Sequence, residues 1–208
     1  MLVECVPCER QSCQSLTLPS PRLWAVCAAL LPLHGHEAPA GKKTIPLPEY
    51  VIRTALKGTI KDAQDTALVL GAIDSLSKLA NEVGAGGSGT AEQKLECAWC
   101  LRKCGALWKL SLLLSLCREG APEDALQRHV NLREVVETKW GLDGCWGLKP
   151  LVSGTEIAAE LGLDLKKDGK AIGNFTKDIL EWTLMQDAPM AASKELCLEW
   201  LKAKAAKK

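Results

Sequence analysis

The stretch ALWKLSLLLSLC, which runs from residue 106 to residue 117, decides the fold. Apolar side chains occupy nearly all of its positions, so a helix built from it has no side that is suited to water. Such a helix is stable only when other helices cover it all round. The sequence therefore predicts a helical bundle with this segment in its middle.

Amphipathic segments lie on both sides of this central helix. In each of them apolar residues recur at three-to-four spacing, which is typical of a helix with one buried face. The predicted helices cover residues 22–31, 47–57, 61–80, 91–117 and 124–139. The range 91–117 contains two helices that are separated near Gly105. No stretch of useful length alternates as a strand does, so the sequence predicts an all-α fold.

The C-terminal part of the chain has a helical pattern of its own. Ser153 to Glu156 fits a capping box, in which two side chains satisfy free backbone amides at the start of a helix. Gly162 is suited to end that helix, and Ser193 is suited to begin the last one. We therefore predict an unstructured leader at 1–20, a helical body domain at 21–147 with a flexible linker near 82–91, and a three-helix tail domain at 148–208.

The composition excludes general disorder but names no partner. The chain has 208 residues, of which 47% are hydrophobic, and a formal net charge of +1. A nucleic-acid site therefore has to come from local clusters of Lys and Arg. The apolar run at 23–33 is too short to cross a bilayer, so no membrane partner is expected.

Ten cysteines raise the question of disulfides or zinc. Six of them lie in apolar helical patterns, which favours reduced thiols in an intracellular protein over a disulfide framework. These six are Cys27, Cys97, Cys100, Cys104, Cys117 and Cys197. Zinc sites use four ligands, and the cluster at 97–104 offers three, so we interpret it as core thiols. For Cys5, Cys8 and Cys13, unpaired thiols and a labile metal site both fit.

Three histidines complete the set of possible ligands or bases. His34 and His36 are expected to be exposed in a loop at 34–45. His129 is expected on a polar helix, without a Ser, Cys or Asp partner that would suggest a catalytic triad.

Six segments, in this order along the chain, resemble the body and tail of plant- and algal-type CCA-adding tRNA nucleotidyltransferases. They are WAVCAALLPL (24–33), IPLPEYVIRTALK (45–57), KDAQDT (61–66), ALWKLSLLLS (106–115), LKPLVSGTEIAAELGL (148–163) and KELCLEWLKA (194–203). The most specific part is Lys-Pro-Leu-Val-x-Gly-x-x-Ile with Leu-Gly-Leu, followed two helices later by Leu-Glu-Trp-Leu. The resemblance covers roughly residues 22–203 and leaves the leader out.

The resemblance implies a concrete function. Enzymes of this family add C, C and A to the 3′ end of tRNA, and their helical body and tail hold the acceptor stem and elbow. A catalytic head binds two magnesium ions, and a neck selects CTP or ATP. Mg²⁺ and the nucleotides would therefore belong to a head and neck that this chain lacks, whether through a truncated gene model or a split copy.

The residues needed for nucleotide transfer are missing from the sequence. No closely spaced Asp-x-Asp pair follows a Gly-rich loop, and Asp164 and Asp168 stand four apart. The acidic start at Glu123 imitates the family's Glu-Asp-x-x-Arg neck motif with one residue too many. The chain is therefore expected to be inactive alone, which leaves its status as an enzyme open. Its expected partners are tRNA and a separate catalytic head.

Basic side chains are the residues from which an RNA site is predicted. The candidates are Arg102, Lys103 and Lys109 in the body and Lys166, Lys167, Lys170 and Lys177 in the tail. The tail lysines precede a helix whose free amides suit phosphate, which predicts recognition of the tRNA backbone by shape. The alternative is a solvated loop in which Asp164 and Asp168 balance the lysines.

Two other functions fit the same sequence. The first is a helical protein-interaction module that kept the family's fold without binding RNA. The second is a cysteine-based metal or redox protein. Neither the leader nor any other segment indicates whether the protein is located in the cytoplasm, nucleus, mitochondrion or plastid.

Overall fold

A computed structural model describes residues 20–41, 43–87 and 89–206 of the chain. The fold is all-α apart from one short hairpin, which confirms the predicted class. The α-helices are α1 Pro21–Leu30, α2 Leu47–Tyr50, α3 Ile60–Gly71, α4 Ile73–Val83, α5 Ala91–Cys104, α6 Trp108–Arg118, α7 Glu123–Glu134, α8 Gly154–Leu161, α9 Gly169–Met185 and α10 Lys194–Ala205. Among them, no helix is long and apolar enough to cross a membrane.

The predicted helix at 61–80 is two helices in the structure. It breaks at Ala72, where the backbone has φ −93° and ψ −12° and the amide bonds the carbonyl of Val69. Gly71 precedes the break, and glycine is a poor helix former because it loses much backbone freedom on ordering. Both α3 and α4 contact α6.

The segment predicted as a loop at 34–45 contains a hairpin. Strands β1, Glu37–Ala40, and β2, Lys43–Pro46, pair antiparallel, with Glu37 opposite Pro46 and Ala40 opposite Lys43. Proline and glycine interrupt the alternation that identifies a strand, and such a short ribbon has little apolar pattern to read. The hairpin packs beside α2 at the edge of the bundle.

Helix α6 occupies the centre of the bundle, as its composition predicts. It contacts α3, α4, α5 and α7. Trp108 is fully buried on it, and Leu114 is fully buried one and a half turns later. The coverage is incomplete on one side, where Leu113 is 41% exposed. Burying this many leucines stabilises the bundle, since each contributes about 1.5–3 kcal/mol on leaving water.

The glycine-rich segment after α4 lies close against α7 and the turn that follows it. A Cβ added to Gly84 would lie 2.1 Å from the carbonyl oxygen of Arg128, and one added to Gly89 would lie 2.4 Å from Trp140. Asn131 also donates a hydrogen bond of 2.8 Å to the carbonyl of Gly84. At these two positions glycine allows the backbone to pack closely. The predicted flexibility of this segment stays a prediction.

The tail begins with the capping box that the sequence predicts. The Ser153 hydroxyl accepts a hydrogen bond of 3.3 Å from the Glu156 amide, and the Glu156 carboxylate accepts one of 2.8 Å from the Ser153 amide. Lys194 Nζ lies 2.5 Å from Glu156 Oε1 and ties α10 to this helix start. The ion pair with Lys194, followed by the bonds from Ser153, lowers the pKa of Glu156 to about 2.

Helix α9 belongs to two hydrophobic cores. Its first half packs Ile172 and Ile179 into the core of the tail with α8 and α10. Its second half packs Leu180 and Leu184 into the core of the body. The side chain of Lys94 on α5 also donates a hydrogen bond of 2.8 Å to the carbonyl of Gln186. A continuous helix thus connects the tail to the body, while the division into separate domains stays a prediction.

Candidate nucleic-acid interface

Arg102 lies in the last turn of α5 and points its charge inside the molecule. Its Nη1 donates hydrogen bonds to the carbonyl oxygens of Cys145 at 2.5 Å and Leu148 at 3.0 Å. Its guanidinium also stands 5.9 Å from the centre of the Trp99 ring. The side chain therefore holds the turn between body and tail: it donates to the Leu148 carbonyl and is a second donor to the Cys145 carbonyl, which also accepts from the Leu148 amide at 3.2 Å.

Lys109 is neutralised by two carboxylates. Its Nζ lies 2.7 Å from Glu137 Oε1 and 3.4 Å from Asp143 Oδ2, and 5.4 Å from the ring centre of Trp108. Lys103, one turn after Trp99, is exposed and forms no ion pair within the described residues. Of the three body candidates, Lys103 therefore has the charge that is most available to a ligand.

Three tail lysines are exposed, two in the turn before α9 and one in the first turn of that helix. Lys166, Lys167 and Lys170 have no ion-pair partner in the described part of the chain. The neighbouring carboxylates are occupied by the backbone instead: Asp164 Oδ1 accepts bonds from the amides of Lys166 at 2.8 Å and Lys167 at 3.1 Å. The acids therefore shape the turn and leave the ammonium groups directed at solvent.

The same turn leads directly into α9. Asp168 is the residue before the helix, and its carboxylate bonds the Asp164 amide at 2.9 Å rather than capping the helix. The first amides of a helix carry partial positive charge, which adds to that of the lysines beside them. Lys177, two turns along α9, is exposed and lies 3.6 Å from Glu181, which partly offsets its charge.

The structure thus brings three of the seven candidates together. Lys166 and Lys167 lie in the turn before α9 and Lys170 lies in the first turn of that helix, whereas Arg102 and Lys109 are held in separate contacts of the body. RNA binding by any of the seven stays a prediction. The internal use of Arg102 is the feature that the sequence did not indicate, because its partners are 43 and 46 residues away along the chain.

The described cysteines are free thiols, and most of them are core residues. Cys117 is the exception to the prediction, because it is exposed at the end of α6, and Cys145 is a buried thiol that the sequence did not indicate. Burial raises the pKa of Cys145 to about 12. In the described residues no group of three or more His, Cys, Asp or Glu side chains is arranged to hold a metal ion. Cys5, Cys8 and Cys13 lie outside the described residues.

Two of the three histidines differ from expectation. His34 is only 17% exposed and lies 3.0 Å from Asp74. His129 is buried, with Nε2 2.9 Å from the Ser115 hydroxyl and Nδ1 2.8 Å from the Ala125 carbonyl. It lies on the buried face of α7 with Ala125 and Leu132. The polar residues next to it in the sequence give no sign of this burial. Ser115 has no exposed surface, so this pair joins α6 to α7 and offers no accessible nucleophile.

The chain was compared with models of protein families, with curated proteins and with solved structures, and none of them matches. The class that the structure itself defines is an all-α protein, with a helical bundle and a terminal group of three helices.

Proposed function

We propose that this chain holds tRNA through its sugar–phosphate backbone, as the body and tail of a CCA-adding tRNA nucleotidyltransferase do. In this proposal it grips the acceptor stem and elbow, and a separate catalytic head adds the nucleotides. The chain alone binds tRNA weakly and transfers nothing.

The turn at 164–170 is the observation that carries the proposal. Three exposed ammonium groups lie within five residues, and the neighbouring carboxylates of Asp164 and Asp168 accept hydrogen bonds from backbone amides. Such a group of lysines favours phosphate binding, because each lysine that contacts a phosphate releases a counterion condensed on the RNA. The adjoining start of α9 adds partial positive charge to the same place.

Recognition of this kind is insensitive to base sequence. Duplex RNA presents phosphates and 2′-hydroxyls in a regular shape, while its deep major groove hides the bases from side chains. We therefore expect different tRNAs to bind with similar affinity. Lys103 and Lys177 supply further charge, and Arg102 contributes through the stability of the turn that it holds.

Salt-dependent titration tests the proposal. Fluorescence anisotropy of a labelled tRNA is followed at several salt concentrations with the wild type and with the triple variant Lys166→Ala, Lys167→Ala, Lys170→Ala. The slope of log affinity against log salt is expected to fall by about 0.7–0.9 for each lost contact, so by about 2 to 3 in total. The loss should be the same for two unrelated tRNAs.

A matched control keeps the change in net charge constant. The triple variant Lys43→Ala, Lys57→Ala, Lys61→Ala removes three exposed lysines from the hairpin, the segment after α2 and helix α3, far along the chain from the tail turn. It is expected to leave the slope within about one contact of the wild type. If both triple variants lose the same affinity, or if polyaspartate competes as well as tRNA, the proposal is wrong.

Nucleotide addition is tested separately. The chain is incubated with tRNA lacking its CCA end, Mg²⁺, CTP and ATP, and incorporation is read on a sequencing gel. We expect no extension, because the Mg²⁺-binding carboxylates belong to the head. Extension above the level of a heat-denatured sample would contradict that expectation.

A groove between α6 and α7 favours the alternative, a protein-interaction module. Three apolar side chains on it are exposed, Leu113 at 41%, Leu126 at 48% and Val130 at 49%. A continuous apolar strip of this kind is typical of surfaces that contact another protein. The titration above decides between the two functions, since the alternative predicts no tRNA binding above that of the acidic polymer.

A further inference from the structure

The exposed side of α7 carries acidic, apolar and basic residues in a fixed order. Four exposed residues follow each other at steps of three, four and three, so they lie along one side of the helix. They are Glu123, Leu126, Val130 and Arg133. This set, called the α7 stripe below, begins with an acid, ends with a base and has two apolar side chains between them.

The α7 stripe borders the groove between α6 and α7, which has a volume of about 230 Å³. The buried side chains of Leu112 and Leu116 line this groove, and Leu113 beside them is exposed. The opposite side of α7 is used by the fold, because it packs against α4. The stripe and the groove therefore form one apolar surface at which large side chains are exposed together, which is typical of a contact with another chain.

The α7 stripe is symmetric in sequence, apart from the opposite charges of its ends. Glu123 and Arg133 lie five positions before and after position 128, and Leu126 and Val130 lie two positions before and after it. If a second α7 lies antiparallel with its position 128 at the same level, Glu123 faces the partner's Arg133, and Leu126 faces the partner's Val130. Steps of three and four residues are also those of the contact positions in a coiled coil. A two-fold axis repeats each contact.

The end charges are available for such a contact. Glu123 forms no ion pair within the described residues. The side chain of Arg133 is 53% exposed, and only its Nε lies against Glu137, at 3.2 Å. Glu137 also has Lys109 at 2.7 Å and so does not depend on Arg133. A parallel pairing would place acid against acid and base against base, so the charges favour the antiparallel one.

We propose that the α7 stripe and the groove beside Leu113 bind a second copy of this chain through an antiparallel contact between the two α7 helices. The two-fold axis lies at the level of position 128, and the α6–α7 pairs of the two copies form a four-helix interface. The contact is independent of the proposed tRNA contact, because it uses no residue of the tail turn.

A second copy supplies everything that this surface requires. It brings apolar side chains to the groove, an acid to Arg133 and a base to Glu123, at the spacing that the surface itself has. The contact is short, because the ten residues from Glu123 to Arg133 rise by about 15 Å along the helix. Small interfaces of this kind are at the weak end of specific association, so the dimer should be reversible.

Sedimentation velocity of the whole protein tests the dimer. The protein is measured without RNA from about 1 μM to about 1 mM, the range in which weak complexes form. A phosphine reductant keeps the exposed Cys117 from cross-linking two copies. The mean mass should rise with concentration from that of a monomer to that of a dimer and stop there, because a two-fold contact is closed. A monomer throughout would overturn the proposal and leave the surface to a different protein.

Leu126→Gln tests the apolar part of the contact. The substitution removes an apolar side chain twice, once in each copy, so the dissociation constant of the dimer should rise at least about tenfold. Leu196→Gln is the matched control, since Leu196 is an exposed leucine on α10. It should change the dissociation constant by less than about twofold. Equal losses in the two variants would show that the α7 stripe is not the interface.

Exchange of the end charges tests the antiparallel arrangement. Glu123→Arg makes both ends of the stripe basic, and Arg133→Glu makes both ends acidic. Either variant alone places like charges opposite each other twice, so its dimer should weaken about tenfold or more. An equal mixture of the two variants places opposite charges at both ends. It should form a mixed dimer with a dissociation constant within about threefold of the wild type.

Two control variants make the same changes of charge elsewhere. Glu92→Arg replaces an exposed acid in the first turn of α5, and Arg53→Glu replaces a half-exposed base that is paired four residues away, as Arg133 is. Each alone should dimerise as the wild type does. Circular dichroism confirms that every variant is folded. If the Glu123→Arg and Arg133→Glu variants dimerise alone like the wild type, or stay monomeric when they are mixed, the proposed contact is wrong.

Discussion

The basic residues of the body and those of the tail carry the same charge but use it differently. In the body, Arg102 bonds two backbone carbonyls and Lys109 lies between Glu137 and Asp143. In the tail, the carboxylate of Asp164 bonds backbone amides, and the lysines beside it extend into solvent. The first group stabilises the fold, and the second is available to a ligand.

The difference teaches that an acid close in sequence need not neutralise a base. A carboxylate bonds whichever donor the local backbone presents, and in a tight turn that donor is an amide two or three residues on. A base far from any acid in sequence can be fully satisfied when a loop folds against it. Substitutions that exchange these roles test the comparison.

The largest expected effect is on stability in the body. Arg102→Ala leaves the Leu148 carbonyl without this donor and the Cys145 carbonyl with only the Leu148 amide, so the free energy of unfolding should fall by about 1–3 kcal/mol. Urea denaturation followed by circular dichroism measures it. Lys103→Ala, at the next position, should change stability by less than about 0.5 kcal/mol. Equal effects of the two substitutions would show that Arg102 does not hold the turn.

The next effect concerns the acid of the tail turn. Asp164→Ala removes two backbone hydrogen bonds and should cost about 1 kcal/mol of stability. It should also weaken tRNA binding because the lysines lose their common turn. Asp164→Asn keeps an oxygen acceptor and removes a negative charge, so it should keep the turn and strengthen tRNA binding about twofold or more.

Urea denaturation and tRNA titration together measure both variants of Asp164. If Asn and Ala strengthen tRNA binding equally, the carboxylate acts only by its charge, and the role assigned to it in shaping the turn is wrong.

A smaller effect is expected from Lys109→Ala. Glu137 keeps Arg133 at 3.2 Å, and Asp143 keeps the Trp108 indole at 3.0 Å, so neither carboxylate is left without a partner. The loss of stability should stay below about 1 kcal/mol. Affinity for tRNA should stay within about twofold of the wild type, and a larger loss of affinity would move Lys109 into the RNA-binding group.

The smallest effect is the response of the tail to acid. Glu156 has a pKa of about 2 in the folded chain against an ordinary value of 4.5, so the folded form binds this proton less readily than the unfolded form. Its contribution is present above pH 4.5 and is lost as the pH falls toward 2. Glu156→Gln keeps the capping geometry and should remove this part of the pH dependence of thermal unfolding.

The effect of Glu156→Gln should be modest, because Glu156 is exposed to solvent. Thermal unfolding at a series of pH values compares it with the wild type, and identical pH profiles would show that the ion pair with Lys194 contributes nothing.

Local pattern alone predicted much of the fold. Three features are visible in the sequence, and the structure shows each of them. They are the burial of α6 among other helices, the capping box at Ser153 and the end of α8 at Gly162. These features depend on residues within one or two turns, whose effects on the backbone do not require knowledge of distant partners. The break at Ala72 and the hairpin at 37–46 were not predicted, because each has only a weak local signal in the sequence.

The tertiary structure alone decided which charged and polar groups are free. Arg102 is satisfied by carbonyls from a distant turn, His129 by a serine of the neighbouring helix, and the groove beside Leu113 exists only because α7 lies against α6. Helix formation follows from neighbours along the chain, whereas the partner of a polar side chain follows from what folding brings beside it. The sequence by itself therefore determined the helices and their apolar faces, and packing determined which side chains remain for chemistry.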